Sequence, residues 1–277
     1  MNQTHDPSLR SWVDTANAPE NDFPIQNLPF GVFSHAGGTP RIGVAIGDSV
    51  LDVAACGRHG LLPDSASLEA CSGATLNALM GTDPADLSGF RSSLSELLSE
   101  GSATGEAARK LGEAVLVPMG EVTLTIPAEI GDYTDFYASV HHATNVGSMF
   151  RPDNPLLPNY KYVPIGYHGR ASSLVNSGTP ITRPRGQSKA PDADAPEYRP
   201  SKMLDYESEL GFFVGRGNAL GETISIDEAF ARIFGFCLVN DWSARDIQAW
   251  EYQPLGPFLA KNFATSLSPW VITRDAM

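Results

Sequence analysis

The segment Leu204-Asp205-Tyr206-Glu207-Ser208-Glu209-Leu210 sets three carboxylates at alternate positions and runs straight into the apolar Gly211-Phe212-Phe213-Val214. That pattern suits a β-strand, on which residues two apart share a face, so Asp205, Glu207 and Glu209 would point the same way. Carboxylates this close repel unless protonated or neutralised by a cation, and the segment contains no basic residue. Two readings are open: the water-facing side of a strand, or one wall of a site whose positive charge comes from elsewhere.

A second run, Ile233 to Asn240, is nearly all apolar and ends at Asp241. The stretch after it, Trp242 to Tyr252, has helical composition. Arg245, Gln248 and Tyr252 fall at i, i+3 and i+7, on one face with Asp241 one turn upstream. An acid, a guanidinium, an amide and a phenol in that arrangement fit a site lining, and a solvated helix face is the alternative. Asp132 and Asp135 flank Tyr133-Thr134, with His141 and His142 a short way beyond. Adjacent side chains diverge, so at most one of these histidines enters a given site. His142 opens the small-polar stretch His142-Ala143-Thr144-Asn145-Val146-Gly147, which predicts a base held on a turn, against an ordinary structural histidine.

Charge separates the chain into two textures. Residues 1–130 carry 16 acidic and 6 basic side chains, and residues 131–277 carry 16 and 13. The total of −13 repels a phosphate backbone and excludes nucleic-acid binding. Cys56, Cys71 and Cys237 have no C-x-x-C spacing, so buried free thiols are expected rather than disulfides or a zinc site. No stretch approaches the roughly 18 apolar residues of a membrane span. Met1 to Pro7 lacks a basic segment leading into an apolar one, and the expected location is the cytoplasm.

Short apolar runs from Ile25 to Val53, broken by Gly37-Gly38, Pro40 and Gly47-Asp48, predict short strands joined by tight turns. Leu68, Cys71, Leu76 and Leu79 recur at helical spacing, and Ser93-Leu94-Ser95-Glu96 has the form of a capping box opening a helix to Leu111. Val122 to Ile126 alternates like a strand, and beyond Asp132 aromatic, His, Asn, Arg and Gly residues become dense. A domain boundary is therefore expected near residue 120, giving regions 1–120 and 121–277. Five prolines between Thr179 and Lys202 predict a long irregular excursion, of the kind that often forms a lid.

Several blocks resemble the fumarylacetoacetate hydrolase family: Asp132-Tyr133-Thr134-Asp135-Phe136-Tyr137, His142 to Gly147, Gly166-Tyr167-His168-Gly169-Arg170-Ala171-Ser172-Ser173, Asn240 to Gln248, and the run from Trp250 to Trp270. The resemblance covers nearly everything after residue 130. It implies a mainly β fold with some α: a small N-terminal SH3-like barrel and a C-terminal mixed β-fold that forms a homodimer. The implied activity is hydrolysis of a carbon–carbon bond in a diketo acid, 4-fumarylacetoacetate, in tyrosine and phenylalanine breakdown.

The same resemblance assigns Asp135, Glu207, Glu209 and Asp241 to a Ca²⁺ or Mg²⁺ ion, with Lys261 and Thr265 also at metal-holding positions. Hard carboxylate oxygens from separate segments suit such a cation. Asp205 matches a family aspartate outside the ligand set. His142 matches the general base, and Arg245, Gln248 and Lys261 the oxyanion-stabilising groups. Tyr137, Arg151, Tyr167, Gln248 and Tyr252 match substrate-binding positions.

Other members of the superfamily, acylpyruvate hydrolases and oxaloacetate decarboxylases, lack the Asp132–Tyr137 and Gly166–Arg170 blocks. The resemblance further implies that family members run well past Met277, into strands of the catalytic fold and a glutamate that orients the histidine. The expectation is a truncated sequence. A polypeptide ending there naturally would be poorly folded or inactive, a metal-binding remnant with unpaired strand edges.

Overall fold

The computed structural model describes residues 2–277. The chain divides into two units, one running to Glu129 and resuming over Val175–Met277, the other Ile130–Leu174. In the first, the predicted short strands are β1 (Phe30–His35), β2 (Arg41–Ile46) and β3 (Ser49–Asp52), joined later by β4 (Leu116–Pro118) and β5 (Val122–Thr125). They form one antiparallel sheet in the order β4-β3-β2-β1-β5. Its core of Phe33, Ala45, Val50 and Val117 also takes Trp270, from far along the chain. Gly31 makes room for that indole, since a β-carbon there would lie 2.5 Å from the ring. Paired backbone hydrogen bonds between Phe30 and Val271 (2.9 and 2.8 Å) fix the approach.

Five helices lie between β3 and β4: α1 (Val53–Arg58), α2 (Ala66–Ala70), α3 (Asn77–Met80), α4 (Pro84–Leu98) and α5 (Ala103–Leu111). The capping box expected at Ser93 is not a helix start. Asp83 accepts the Ala85 N–H and Pro84 occupies the first turn, a stronger signal, and Ser93 sits inside α4 with its hydroxyl on the Gly89 carbonyl. The helix then breaks, with Gly101 at φ 78°, and Ser102 caps α5 afresh.

The second unit contains β6 (Thr134–Tyr137), α6 (Val140–Phe150) and β7 (Ile165–His168), with β6 and β7 antiparallel. His142 lies in the first turn of α6 and not on a turn between elements. Ser139 accepts its backbone N–H at 3.3 Å and starts the helix ahead of it.

From Val175 the first unit resumes within β8 (Leu174–Asn176), followed by a hairpin of β9 (Arg185–Ser188) and β10 (Glu197–Pro200), then β11 (Leu204–Asp205) and β12 (Ser208–Val214). The expected irregular excursion thus contains that hairpin. After α7 (Ile226–Ala229) come β13 (Ile233–Asp241), β14 (Ser243–Ala244), α8 (Arg245–Leu255), β15 (Thr265–Leu267) and β16 (Ile272–Thr273). The order β12-β13-β15-β8 makes a second five-stranded sheet, with β16 also on β13.

The expected single strand over 204–214 is split: β11 pairs with β14, and β12 with β13. Side chains break it, because Asp205 accepts the Tyr206 N–H (2.9 Å) and Asn240 Oδ1 accepts the Glu207 N–H (3.2 Å) in place of ladder partners. Cys56, Cys71 and Cys237 are free and buried, and burial pushes each thiol up to about 12, leaving them protonated. Among the described residues no helix is long and apolar enough to cross a membrane.

Two outcomes follow from this packing. Gly31→Ala should lower stability by about 1–3 kcal/mol in urea unfolding, because the added methyl meets the Trp270 ring. Asp246, in the first turn of α8, accepts bonds from Ser201 Oγ (2.6 Å) and Lys202 N–H (2.8 Å). Burial alone would raise its carboxyl, but these bonds outweigh it and hold the group below its usual range. A depressed carboxyl stabilises the fold above its unfolded value of about 3.9 and loses that contribution as pH falls through the folded value. Asp246→Asn should therefore be less stable than wild type at pH 7, and the gap should close on acidification below about pH 4.

Candidate active site

Asp241 closes β13 with only 2% of its surface exposed, and its backbone N–H donates to the Glu207 carbonyl at 3.1 Å. This bond brings the end of one strand against the break before β12. Lys261, 1% exposed, donates from Nζ to Glu207 Oε2 (2.6 Å) and to Asp241 Oδ2 (2.7 Å). Thr265, paired with Asp241 in the β13–β15 register, donates its hydroxyl to Asp241 Oδ1 at 3.2 Å. Glu209 follows on β12, and it and Asp241 each present a carboxylate oxygen within 4.8 Å of the other.

Arg245, the first residue of α8, uses its whole guanidinium fork. Nε donates to Asp205 Oδ2 (3.0 Å), Nη1 to Gln248 Oε1 (3.0 Å) and Nη2 to Glu207 Oε1 (2.6 Å). Burial alone would raise the Glu207 carboxyl, but its bonds to Lys261 and Arg245 prevail and hold it below the usual range. Three carboxylates, Asp205, Glu207 and Asp241, thus meet two fixed cations, with the Glu209 carboxylate close to Asp241. The charge that the acidic segment lacks is supplied from α8 and from the turn before β15. Tyr252, further along α8, is exposed.

The smaller unit carries the remaining predicted residues. Asp135 lies opposite Tyr167 in the β6–β7 register. The Tyr137 and His142 rings meet edge to face, centroids 4.7 Å apart, and Tyr160 donates to the Tyr137 carbonyl at 2.6 Å. Arg151 follows α6 and donates from Nη2 to the Pro155 carbonyl at 3.1 Å. Sequence reasoning missed Asn240, whose side chain positions the Glu207 backbone, and the orienting role of Asp205. The block Asn240-Asp241 was the available signal for the first.

The fumarylacetoacetate (FAA) hydrolase C-terminal family matches residues 132–277, and the fumarylacetoacetase N-terminal family matches residues 26–127. A fumarylacetoacetase of Caenorhabditis elegans is 53% identical over 277 residues, covering 97% of this chain and 65% of its own length. The chain belongs to the fumarylacetoacetate hydrolase family. The fumarylacetoacetase of Homo sapiens is 51% identical over 263 residues, covering 94% of this chain and 63% of its own. The chain therefore spans under two thirds of the length of these relatives. A solved fumarylacetoacetate hydrolase from Exiguobacterium antarcticum shares the fold at TM-score 0.52 and 18% identity, over 90% of this chain and 68% of that one. The architecture is mixed α/β, with a C-terminal fold of the family type.

Lys261→Met removes the ammonium from between Glu207 and Asp241. Breaking one side of a buried pair costs about 3–5 kcal/mol, so the urea midpoint should drop sharply at pH 7, with millimolar Ca²⁺ or Mg²⁺ restoring part of it.

Proposed function

We propose that the chain carries most of a metal-dependent hydrolase that cleaves the carbon–carbon bond of 4-fumarylacetoacetate into fumarate and acetoacetate, the last step of tyrosine breakdown. The observation that carries this reading is the carboxylate set around Lys261 and Arg245, in a chain whose relatives at 51–53% identity are fumarylacetoacetases. The donor set fits a hard divalent cation, since it gathers carboxylate oxygens alone. Asp135, Glu207, Glu209 and Asp241 would hold it. Lys261, whose ammonium has no lone pair, and Thr265 would contribute only through carbonyl or hydroxyl oxygens. When bound, Mg²⁺ or Ca²⁺ supplies positive charge to the substrate's dicarbonyl oxygens.

His142 takes a proton from the attacking water, its imidazole steadied against the Tyr137 ring. Arg245, Gln248 and Lys261 donate where the oxyanion develops. Arg151 meets the substrate's terminal carboxylate with two parallel hydrogen bonds, and Tyr137, Tyr167, Gln248 and Tyr252 line the remainder. On the same family grounds the N-terminal sheet is SH3-like, the domains meet near residue 120, and the protein is a cytoplasmic homodimer.

Loss of fumarylacetoacetate, followed on purified protein with and without Mg²⁺ or Ca²⁺, tests the proposal. His142→Ala should cut turnover about 10²–10⁴-fold while leaving metal affinity unchanged. Turnover of oxaloacetate but not of fumarylacetoacetate, or metal binding with no turnover in an unsubstituted protein that carries the family's full catalytic region, would overturn it.

A further inference from the structure

Lys261 touches both Glu207 and Asp241 through one atom, so its position bears on how the carboxylates sit together. A lysine stem is flexible, and its depth here depends on where the backbone before it is held. In the turn from Gly256 to Ala260, only Ala260 is buried, in an apolar cluster with Ala244 and Ile247, while Phe258 and Leu259 remain 49% and 43% exposed. The backbone of the turn is further held by Glu251, an acid on the second turn of α8 that is only 7% exposed. Glu251 Oε1 accepts the N–H groups of Phe258 (3.0 Å) and Ala260 (2.8 Å), and Oε2 that of Leu259 (3.1 Å). The residue after Ala260 is Lys261. Two further bonds complete the clamp: the Lys261 N–H donates to the Phe258 carbonyl (3.0 Å), and the Ala244 N–H to the Ala260 carbonyl (2.9 Å).

We infer that Glu251 is a positioning residue for Lys261: its buried carboxylate gathers three successive amides and so fixes the backbone from which the ammonium reaches the acidic cluster. Charge-assisted bonds of this kind are about twice as strong as neutral ones. The same helix therefore sets both cations, Arg245 directly at its first turn and Lys261 through Glu251. The catalytic consequence rests on the proposed role of Lys261 as an oxyanion donor, whereas the positioning itself does not.

The test reads the position of Lys261 without requiring turnover. The purified 277-residue protein is acylated with acetic anhydride, and each lysine is quantified by peptide mass spectrometry, with the exposed Lys110, Lys161 and Lys202 as internal standards. In wild type Lys261 should be strongly protected. Glu251→Gln keeps the shape but opposes an amide N–H₂ to the backbone donors, and should raise Lys261 labelling about 10-fold while the standards and the circular dichroism spectrum stay constant. Unchanged Lys261 protection in a folded Glu251→Gln protein overturns the inference. So does a rise in all lysines together, which would mark Glu251 as a general fold residue. Should Glu251→Gln fail to unfold cooperatively, Glu251→Asp, which keeps the charge on a shorter arm, is read by the same two criteria. Because labelling is independent of substrate, the response of Lys261 to Glu251 is read apart from fumarylacetoacetate turnover, which tests the functional proposal alone.

Discussion

A buried ammonium shared by two carboxylates is the constraint on which the larger unit's chemistry depends. Lys261, at 1% exposure, has its ammonium bonded to Glu207 and Asp241, and it offsets the repulsion between those two carboxylates. Both contacts require that β13 end at Asp241, that the strand before β12 break at Glu207, and that the turn before β15 return to the same point. Arg245 extends the arrangement by taking the other Glu207 oxygen and Asp205 together. The result is a cluster in which Asp205, Glu207 and Asp241 are tied together by two cations.

The second sheet transmits this constraint to the rest of the unit. β13 pairs with β12, β15 and β16, so it carries Asp241, meets Thr265 in register and leads onward to the Trp270–Val271 segment. That segment is bonded across β1, with its indole in the core of the N-terminal sheet. The acid-rich N-terminal region, with 16 acidic against 6 basic residues over 1–130, is thereby joined to the strand that ends in the acidic cluster through an apolar contact.

The sequence made the participants visible and their wiring partly so. Acids at alternate positions, an acid ending an apolar run, and Arg245, Gln248 and Tyr252 at helical spacing all fall where local periodicity operates, and the strand end and the helix are as expected. What local pattern does not contain is the partner at long range. The break at Tyr206–Glu207 depends on Asn240, 33 residues away, and the cation between the carboxylates comes from Lys261, 54 residues from Glu207. The misplaced helix start at Ser93 and the turn expected at His142 have a different cause. In both cases another capping residue, Asp83 or Ser139, lay upstream and won, because the first cap followed by helix-forming residues sets the boundary.

The alternation along β12 also explains why its register is fixed. Glu209, Gly211 and Phe213 are half-buried on one face, and Leu210, Phe212 and Val214 are exposed on the other, Leu210 standing opposite the exposed Leu238 of β13. A slip of one residue exchanges every side chain between faces. It would turn Leu210 and Phe212 toward Asp241 and carry Glu209 away from it, leaving carboxylates on an apolar face. The carboxylates that make the site therefore also specify the strand pairing that builds it. Electrostatics acts here as a register constraint at the end of β12 nearest Asp241, and the irregularity in pairing falls at the opposite end, between Phe213 and Val214, where no charge is at stake.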